Sequence, residues 1–243
     1  MASLGAARAE SERACPLGVC DGSGWILGPE DVARPCECRA QRLRRARSRG
    51  VASVIPAKYR GVSFERPPVT EIEPMVVRVI RSYVEDLDAH LDSGRGLWLM
   101  GDTGTGKTTL AMLVSKAALE AGHSVAIYSL PKLLARIRRT YDAEAGEDSY
   151  LQFFERLTSV DLLHIDDLGA EKRSDWVLEQ LYSLLNERYE AERSILVTTN
   201  LDEGRLKEQI GQRTVSRLVE MCGEHMIPLY GEDRREPARA TGS

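Results

Sequence analysis

Gly101-Asp102-Thr103-Gly104-Thr105-Gly106-Lys107-Thr108 has the residue types and spacing of a loop that wraps a phosphate. Its glycines let successive backbone N–H groups turn inward, Lys107 can reach the β- and γ-phosphates of a nucleotide, and the Thr108 hydroxyl can ligate Mg²⁺. An apolar run, Leu97-Trp-Leu-Met100, precedes the loop, and a helical pattern starting at Lys107 and continuing through Thr109 follows it. That helix adds its positive end to the same place. Residues 101–109 are therefore assigned to ATP. A glycine-rich turn that binds nothing is the alternative, and the complete loop between a strand and a helix weighs against it.

A second cluster of chemistry follows an apolar run. Val160-Asp-Leu-Leu-His-Ile165 reads as a buried strand ending in Asp166 and Asp167. A strand tip can hold carboxylates rigidly beside a metal, so Asp166 is assigned to Mg²⁺ with Thr108, and Asp167 to orienting the attacking water. Asp at the second position is one methylene shorter than Glu, which implies slow basal hydrolysis. Asn200 ends a further apolar run, Leu196-Val-Thr-Thr199, where a polar side chain could touch the γ-phosphate; a plain turn residue is the other reading. Arg213 and Arg217 fall one helical turn apart, either as an ion-paired face or as cations projecting toward a phosphate in a neighbouring subunit. Arg234 and Arg235, near the end, are either a charged tail or a phosphate sensor.

Four cysteines form a separate constellation. Cys15-x₄-Cys20 and Cys36-x-Cys38 are two close pairs separated by a segment containing Gly22, Gly24 and Gly28. Four soft ligands suit tetrahedral Zn²⁺, and so short a segment could hardly bury enough apolar area without a metal; cysteines with no common ligand, or a redox pair, are the alternatives. Disulfides are not expected in a reducing compartment, and Cys222 reads as a small buried residue. Arg39, Arg42, Arg44, Arg45, Arg47 and Arg49 follow as a basic run that is either solvated or a contact for nucleic acid or an acidic surface. Lys132, Arg136, Arg138 and Arg139 make a second basic strip on an expected helix.

The elements that must position these residues follow from periodicity. Residues 1–50 are rich in Cys, Gly and Arg, 51–74 form a Pro-punctuated linker, and 75–243 alternate strands with helices. Helices are expected at 75–91, 132–141, 150–158, 174–191 and through Arg213 and Arg217, and strands at 97–100, 124–130, 160–165, 194–199 and 226–230. Alternation of this kind predicts an α/β domain with a parallel sheet flanked by helices, its polar clusters at the strands' carboxyl ends. The 243 residues carry a formal charge of −4, which excludes a generally basic coat for nucleic acid and leaves only local patches. No stretch approaches the roughly 18 apolar residues of a membrane span, so a cytoplasmic location is expected.

Taken together these motifs resemble the DnaC/DnaI/IstB group of AAA+ ATPases, which comprises bacterial and phage helicase loaders and transposition helpers. Gly101–Thr108 is similar to the group's Walker A, Leu162–Gly169 to its Walker B with a double Asp, Val197–Asn200 to its sensor 1, and Gln212–Leu218 to its box VII. Pro56–Arg60 with Phe64-Glu65 resembles its lead-in to the ATPase. The resemblance implies an AAA+ P-loop NTPase that self-associates, with Arg217, or Arg213 in its place, acting as an intersubunit finger. It also implies that Arg235 serves as sensor 2. Its further implications are binding of single-stranded DNA and an N-terminal zinc module that contacts a hexameric replicative helicase. A transposition helper acting on duplex DNA with a transposase, and a nucleotide-gated adaptor with little hydrolysis, stay open beside the loader reading.

Overall fold

In a computed structural model, which describes residues 15–27, 32–39, 55–141, 150–231 and 233, the side chains of successive strand residues alternate between two helical layers. The five strands β3 (Leu97–Gly101), β4 (Val125–Ser129), β5 (Leu162–Asp166), β6 (Ser194–Thr199) and β7 (Met226–Leu229) run parallel in the order β4-β5-β6-β3-β7. Two smaller strands, β1 (Trp25–Leu27) and β2 (Ala33–Pro35), pair as an antiparallel hairpin elsewhere in the chain. The chain divides into two compact units, Met1–Arg47 and Ser48–Ser243.

Within the larger unit, Leu97, Leu99, Val125, Ile127, Leu162 and Leu196 face one layer, made of α1 (Pro74–Glu85), α2 (Leu87–Asp92) and α3 (Lys107–Glu120). Trp98, Ala126, Leu163, Ile165, Ile195 and Val197 face the other. That layer holds α4 (Leu130–Arg139), α5 (Tyr150–Ser159), α6 (Asp175–Glu190), α7 (Glu203–Ile210) and α8 (Gln212–Cys222). Period-two alternation with apolar residues on both faces is what a sheet covered on both sides requires. Each fully buried large aliphatic side chain contributes roughly 1.5–3 kcal/mol. No described helix is long and apolar enough to cross a membrane.

Helix starts follow local chemistry. Glu73 caps α1 by accepting from the Val76 N–H at 2.8 Å, with Pro74 in the first turn. Ser174 and Asp202 cap α6 and α7 by the same device. The helix expected over 75–91 is divided at Asp86, whose φ of −99° and ψ of 21° leave the helical region while Ile80, Tyr83, Leu87 and Leu91 all remain buried. The described part of residues 51–74 is built onto the sheet: Ile55, Val62, Val69 and Ile72 are buried in the core shared with α1 and β3. Two elements had no clear periodic signal, the β1–β2 hairpin and the short helix α7.

Burial of histidine makes the fold acid-sensitive. His164 is fully buried, and desolvation lowers its pKa to about 3. His90 and His225 pack edge to face, with ring centroids 4.7 Å apart, and desolvation lowers both. Above the ordinary value near 6.5 these groups are neutral folded and unfolded alike. Below it the unfolded chain takes up protons that the fold refuses, so stability falls with pH down to the folded pKa. His164 alone should cost about 2 kcal/mol by pH 5. Urea unfolding at pH 7 and pH 5 should show that loss in the wild type and a correspondingly smaller one in His164→Leu.

Candidate functional site

The loop between β3 and α3 owes its shape to glycines with positive φ. Gly101 (φ 127°) lets β3 run against β7 so closely that a Cβ there would lie 2.0 Å from the Leu229 carbonyl oxygen. Gly106 (φ 103°) precedes the first turn of α3, which has no side-chain cap, so its N–H groups remain for a ligand. Lys107, only 5% exposed, folds back to donate to the Gly101 carbonyl at 2.8 Å and to that of Asp102. Thr105 Oγ1 donates to the Asp102 carbonyl at 2.9 Å, and the Asp102 carboxylate accepts from the Gly231 N–H at 3.2 Å. A backbone shaped for an anion with an ammonium already inside it is the donor set a triphosphate needs.

The second half of the site comes from the tips of β5 and β6. Asp166 Oδ1 accepts from Thr108 Oγ1 at 3.0 Å and from Thr198 Oγ1 at 2.7 Å. Thr198 Oγ1 in turn accepts from the Asp167 N–H at 2.9 Å. Asp167 adopts a φ of 57°, a conformation sparsely used by residues other than glycine and best tolerated by Asn and Asp. One threonine hydroxyl thus fixes the carboxylate of the first acid and the backbone of the second. A hydroxyl and a carboxylate in contact beside Lys107 fit a hard divalent cation such as Mg²⁺.

A cavity of about 360 Å³ joins the two halves. Gly104, Gly106, Lys107, Thr108, Thr109, Asp166, Asp167 and Asn200 line it, so residues named separately from the sequence meet around one space. Lys58, Tyr59, Pro68 and Ile72 complete the wall. None of these four was singled out as a ligand from the sequence; Lys58 and Tyr59 fall in the Pro56–Arg60 lead-in, and Pro68 and Ile72 in the Pro-punctuated stretch after it. Thr198 was given no role of its own, and its place within the Val197–Asn200 motif was its trace. A neighbouring cavity of about 490 Å³ shares Tyr59 and Asp166 and is bordered by Tyr128, Lys132, Arg136 and Arg139. In the same helix Arg138 stacks on Trp176 at 4.5 Å.

The paired arginines of α8 do not line the cavity. Arg213 is exposed. Arg217 lies 4.3 Å over the Tyr189 ring, donates to Asn186 Oδ1 at 3.3 Å, and pairs with Glu220 at 3.2 Å. The Tyr189 hydroxyl first, and Arg217 after it, hold the Glu220 carboxyl below its ordinary range. Arg234 and Arg235 lie outside the described residues, as do Arg42, Arg44, Arg45, Arg47 and Arg49. Arg39 stacks over Trp25 at 4.0 Å.

In the smaller unit, Cys15, Cys20, Cys36 and Cys38 converge with all sulfurs within 4.8 Å of one another. Cys15 and Cys36 are 3.9 Å apart and Cys20 and Cys38 3.5 Å, too far for a disulfide and close to the edges of a tetrahedron around Zn²⁺. The hairpin brings the pairs together: the Cys36 N–H donates to the Gly24 carbonyl at 2.9 Å, and Gly24 adopts a φ of 82°. The backbone N–H of Cys20 draws the Cys15 thiol down to about 6, whereas burial pushes Cys38 up. Thiols so crowded ionise together only with a cation among them, so the donor set fits zinc.

A parallel sheet in this strand order, with the phosphate loop after β3, which lies between β6 and β7, and acids at the tip of β5, is an AAA+ P-loop fold. The chain belongs to the IstB-like ATP binding protein family, whose model matches residues 41–238. Among its relatives is the "Replicative helicase loader DnaC" of Buchnera aphidicola subsp. Schizaphis graminum, 26% identical over 195 residues that cover 79% of this chain and 75% of that protein. Another is the "Phage-like element PBSX protein XkdC" of Bacillus subtilis, 28% identical over 226 residues, covering 87% of this chain and 80% of the relative. Of solved structures, the "Crystal structure of the DnaC helicase loader" superposes with a TM-score of 0.60 at 24% identity, covering 73% of this chain and all of that one. The resemblance drawn from the motifs is thereby borne out.

Proposed function

We propose that this chain is an ATP-driven loader that delivers a hexameric replicative helicase onto single-stranded DNA. The observation that carries the reading is the meeting of Lys107, Thr108, Asp166, Asp167 and Asn200 around one cavity, in a chain whose relatives include proteins named helicase loaders. The separate four-cysteine unit supports it, because an ATPase domain and a metal-stabilised module can hold two different clients.

In this reading the loop N–H groups and Lys107 bind the β- and γ-phosphates, Lys107 leaving the carbonyls it now caps. Thr108 and Asp166 hold Mg²⁺, which when bound neutralises phosphate charge. Asp167 and Asn200 orient a water in line with the γ-phosphorus; the water's oxygen attacks, ADP leaves, and Asp167 accepts the proton. The short side chain of Asp167, one methylene less than Glu, favours slow turnover by the isolated protein. Release of phosphate would change the state of the domain and free the helicase. The cavity beside Lys132, Arg136 and Arg139, with the half-buried Tyr59 on its wall, suits a strand of DNA through phosphate pairing and stacking of a base on Tyr59.

Self-association of the AAA+ domains supplies the remaining group. Arg217, or Arg213 in its place, is the cation for a neighbour's γ-phosphate, and Arg217 must first leave Tyr189 and Glu220. Arg217→Ala should lower DNA-stimulated ATPase about 1000-fold at concentrations where the protein assembles, with ATP affinity of the monomer unchanged. Turnover assays across protein concentration check this, and an equal loss in monomer binding would sink the trans role. The family model's IstB description keeps a transposition helper as the second reading; assembly on duplex rather than single-stranded DNA would favour it.

A further inference from the structure

Beneath Asp166 lies a polar ladder sealed from solvent. β5 places His164 and Asp166 on the same face of the sheet, two residues apart, and His164 has no exposed surface. Its Nδ1 lies 2.9 Å from Ser115 Oγ on α3. Its Nε2 has no hydrogen-bond partner and lies 4.0 Å from Asp166 Oδ1. Ser115 stands two helical turns after Thr108, so one face of α3 touches both rungs: Thr108 meets Asp166, and Ser115 meets His164.

The tautomer follows from what surrounds the ring. With the proton on Nδ1, two acceptors, the Nε2 lone pair and the Asp166 oxygen, would face each other in a dry interior. With the proton on Nε2, the Ser115 hydroxyl donates to Nδ1 and the ring offers N–H to the carboxylate. A buried N–H left unpaired keeps its full desolvation penalty. Oδ1 already takes hydrogen bonds from Thr108 and Thr198, so there is no ready place for a third donor while Thr108 points at it.

We propose that His164 is a positioning residue for Asp166, its Nε2–H replacing the Thr108 hydroxyl on Oδ1 when Thr108 turns to Mg²⁺. This rests on the ATPase reading of the site. The exchange keeps the carboxylate doubly anchored, by Thr198 and His164, at the moment its geometry matters. It also satisfies the orphaned N–H, so the nucleotide-free arrangement stores a small preference for the metal-bound one.

The test uses the full chain and a fluorescent ATP analogue, with affinity measured in EDTA and across a Mg²⁺ titration. In His164→Leu the affinity in EDTA should stay within about 2-fold of wild type, while the Mg²⁺ midpoint rises about 10-fold. His164→Gln, whose amide reaches the Nε2 position, should restore the midpoint; His164→Asn, which stops at the Nδ1 position and keeps only Ser115, should not. If the leucine variant fails to fold, the Gln and Asn pair decides the matter. A Mg²⁺ midpoint unchanged in both Leu and Asn, or affinity lost equally with and without Mg²⁺, overturns the positioning role while leaving the ATPase reading intact. A wild-type protein whose nucleotide affinity does not respond to Mg²⁺ overturns both.

Discussion

Lys107→Ala is expected to reduce ATP affinity about 100- to 1000-fold and to leave no measurable turnover. The ammonium is 5% exposed and held at the floor of the loop, where each hydrogen bond from a charged donor contributes roughly 1.5–3 kcal/mol, and two phosphates would share it. The fold should survive, because Lys107 itself lines the cavity, so truncating its side chain opens a path for water to the Gly101 and Asp102 carbonyls that the ammonium caps. Calorimetric titration with ATP·Mg²⁺, alongside circular dichroism on the same samples, checks both halves. Retained affinity would mean that the cavity is not the nucleotide site. Loss of fold would mean that Lys107 is a structural residue whose bonds to those carbonyls matter more than any ligand.

Removal of metal from the cysteine unit should have the other large effect. Among the described residues below 40, the buried hydrophobic side chains are Cys36 and Cys38, while Leu17, Val19, Trp25 and Val32 are exposed. There is no apolar core among them to hold β1 and β2 together, whereas a structural zinc contributes on the order of 10 kcal/mol. The purified chain should carry one Zn²⁺. Cys38→Ser, or a zinc-selective chelator in excess Mg²⁺, should open residues 15–39 to protease while the thermal transition of the larger unit and its ATP affinity stay unchanged. Helicase binding should disappear with the metal. Protection of that segment in the absence of metal would contradict the zinc reading.

Legibility in the sequence depended on how local each feature is. The phosphate loop and the Asp166-Asp167 pair were legible because their chemistry lies in contiguous residues, and the strands around them because fully buried β-segments read as short apolar runs. Thr198 was not, because its role is created by the β5–β6 register, in which Ile165 lies beside Val197 and so sets Asp166 next to Thr198. The partnering of Arg217 was open for the same reason: Tyr189 and Asn186 come from α6, and no spacing within α8 reveals them. Likewise the aromatic walls of the basic cavity, Tyr59 and Tyr128, come from segments outside the helix that carries Lys132. The four cysteines were readable as a metal set because two close pairs need only one hairpin to meet, although the hairpin's own strands were too short to show a period.

Native mass spectrometry of the full chain mixed with its own organism's replicative helicase, in ATP·Mg²⁺ and separately in ADP, tests the loader reading most directly. The account predicts a stoichiometric complex carrying one zinc per copy of the chain, with its population differing between the two nucleotides. No complex in either nucleotide state would contradict the loader reading and turn attention to a transposase as the client.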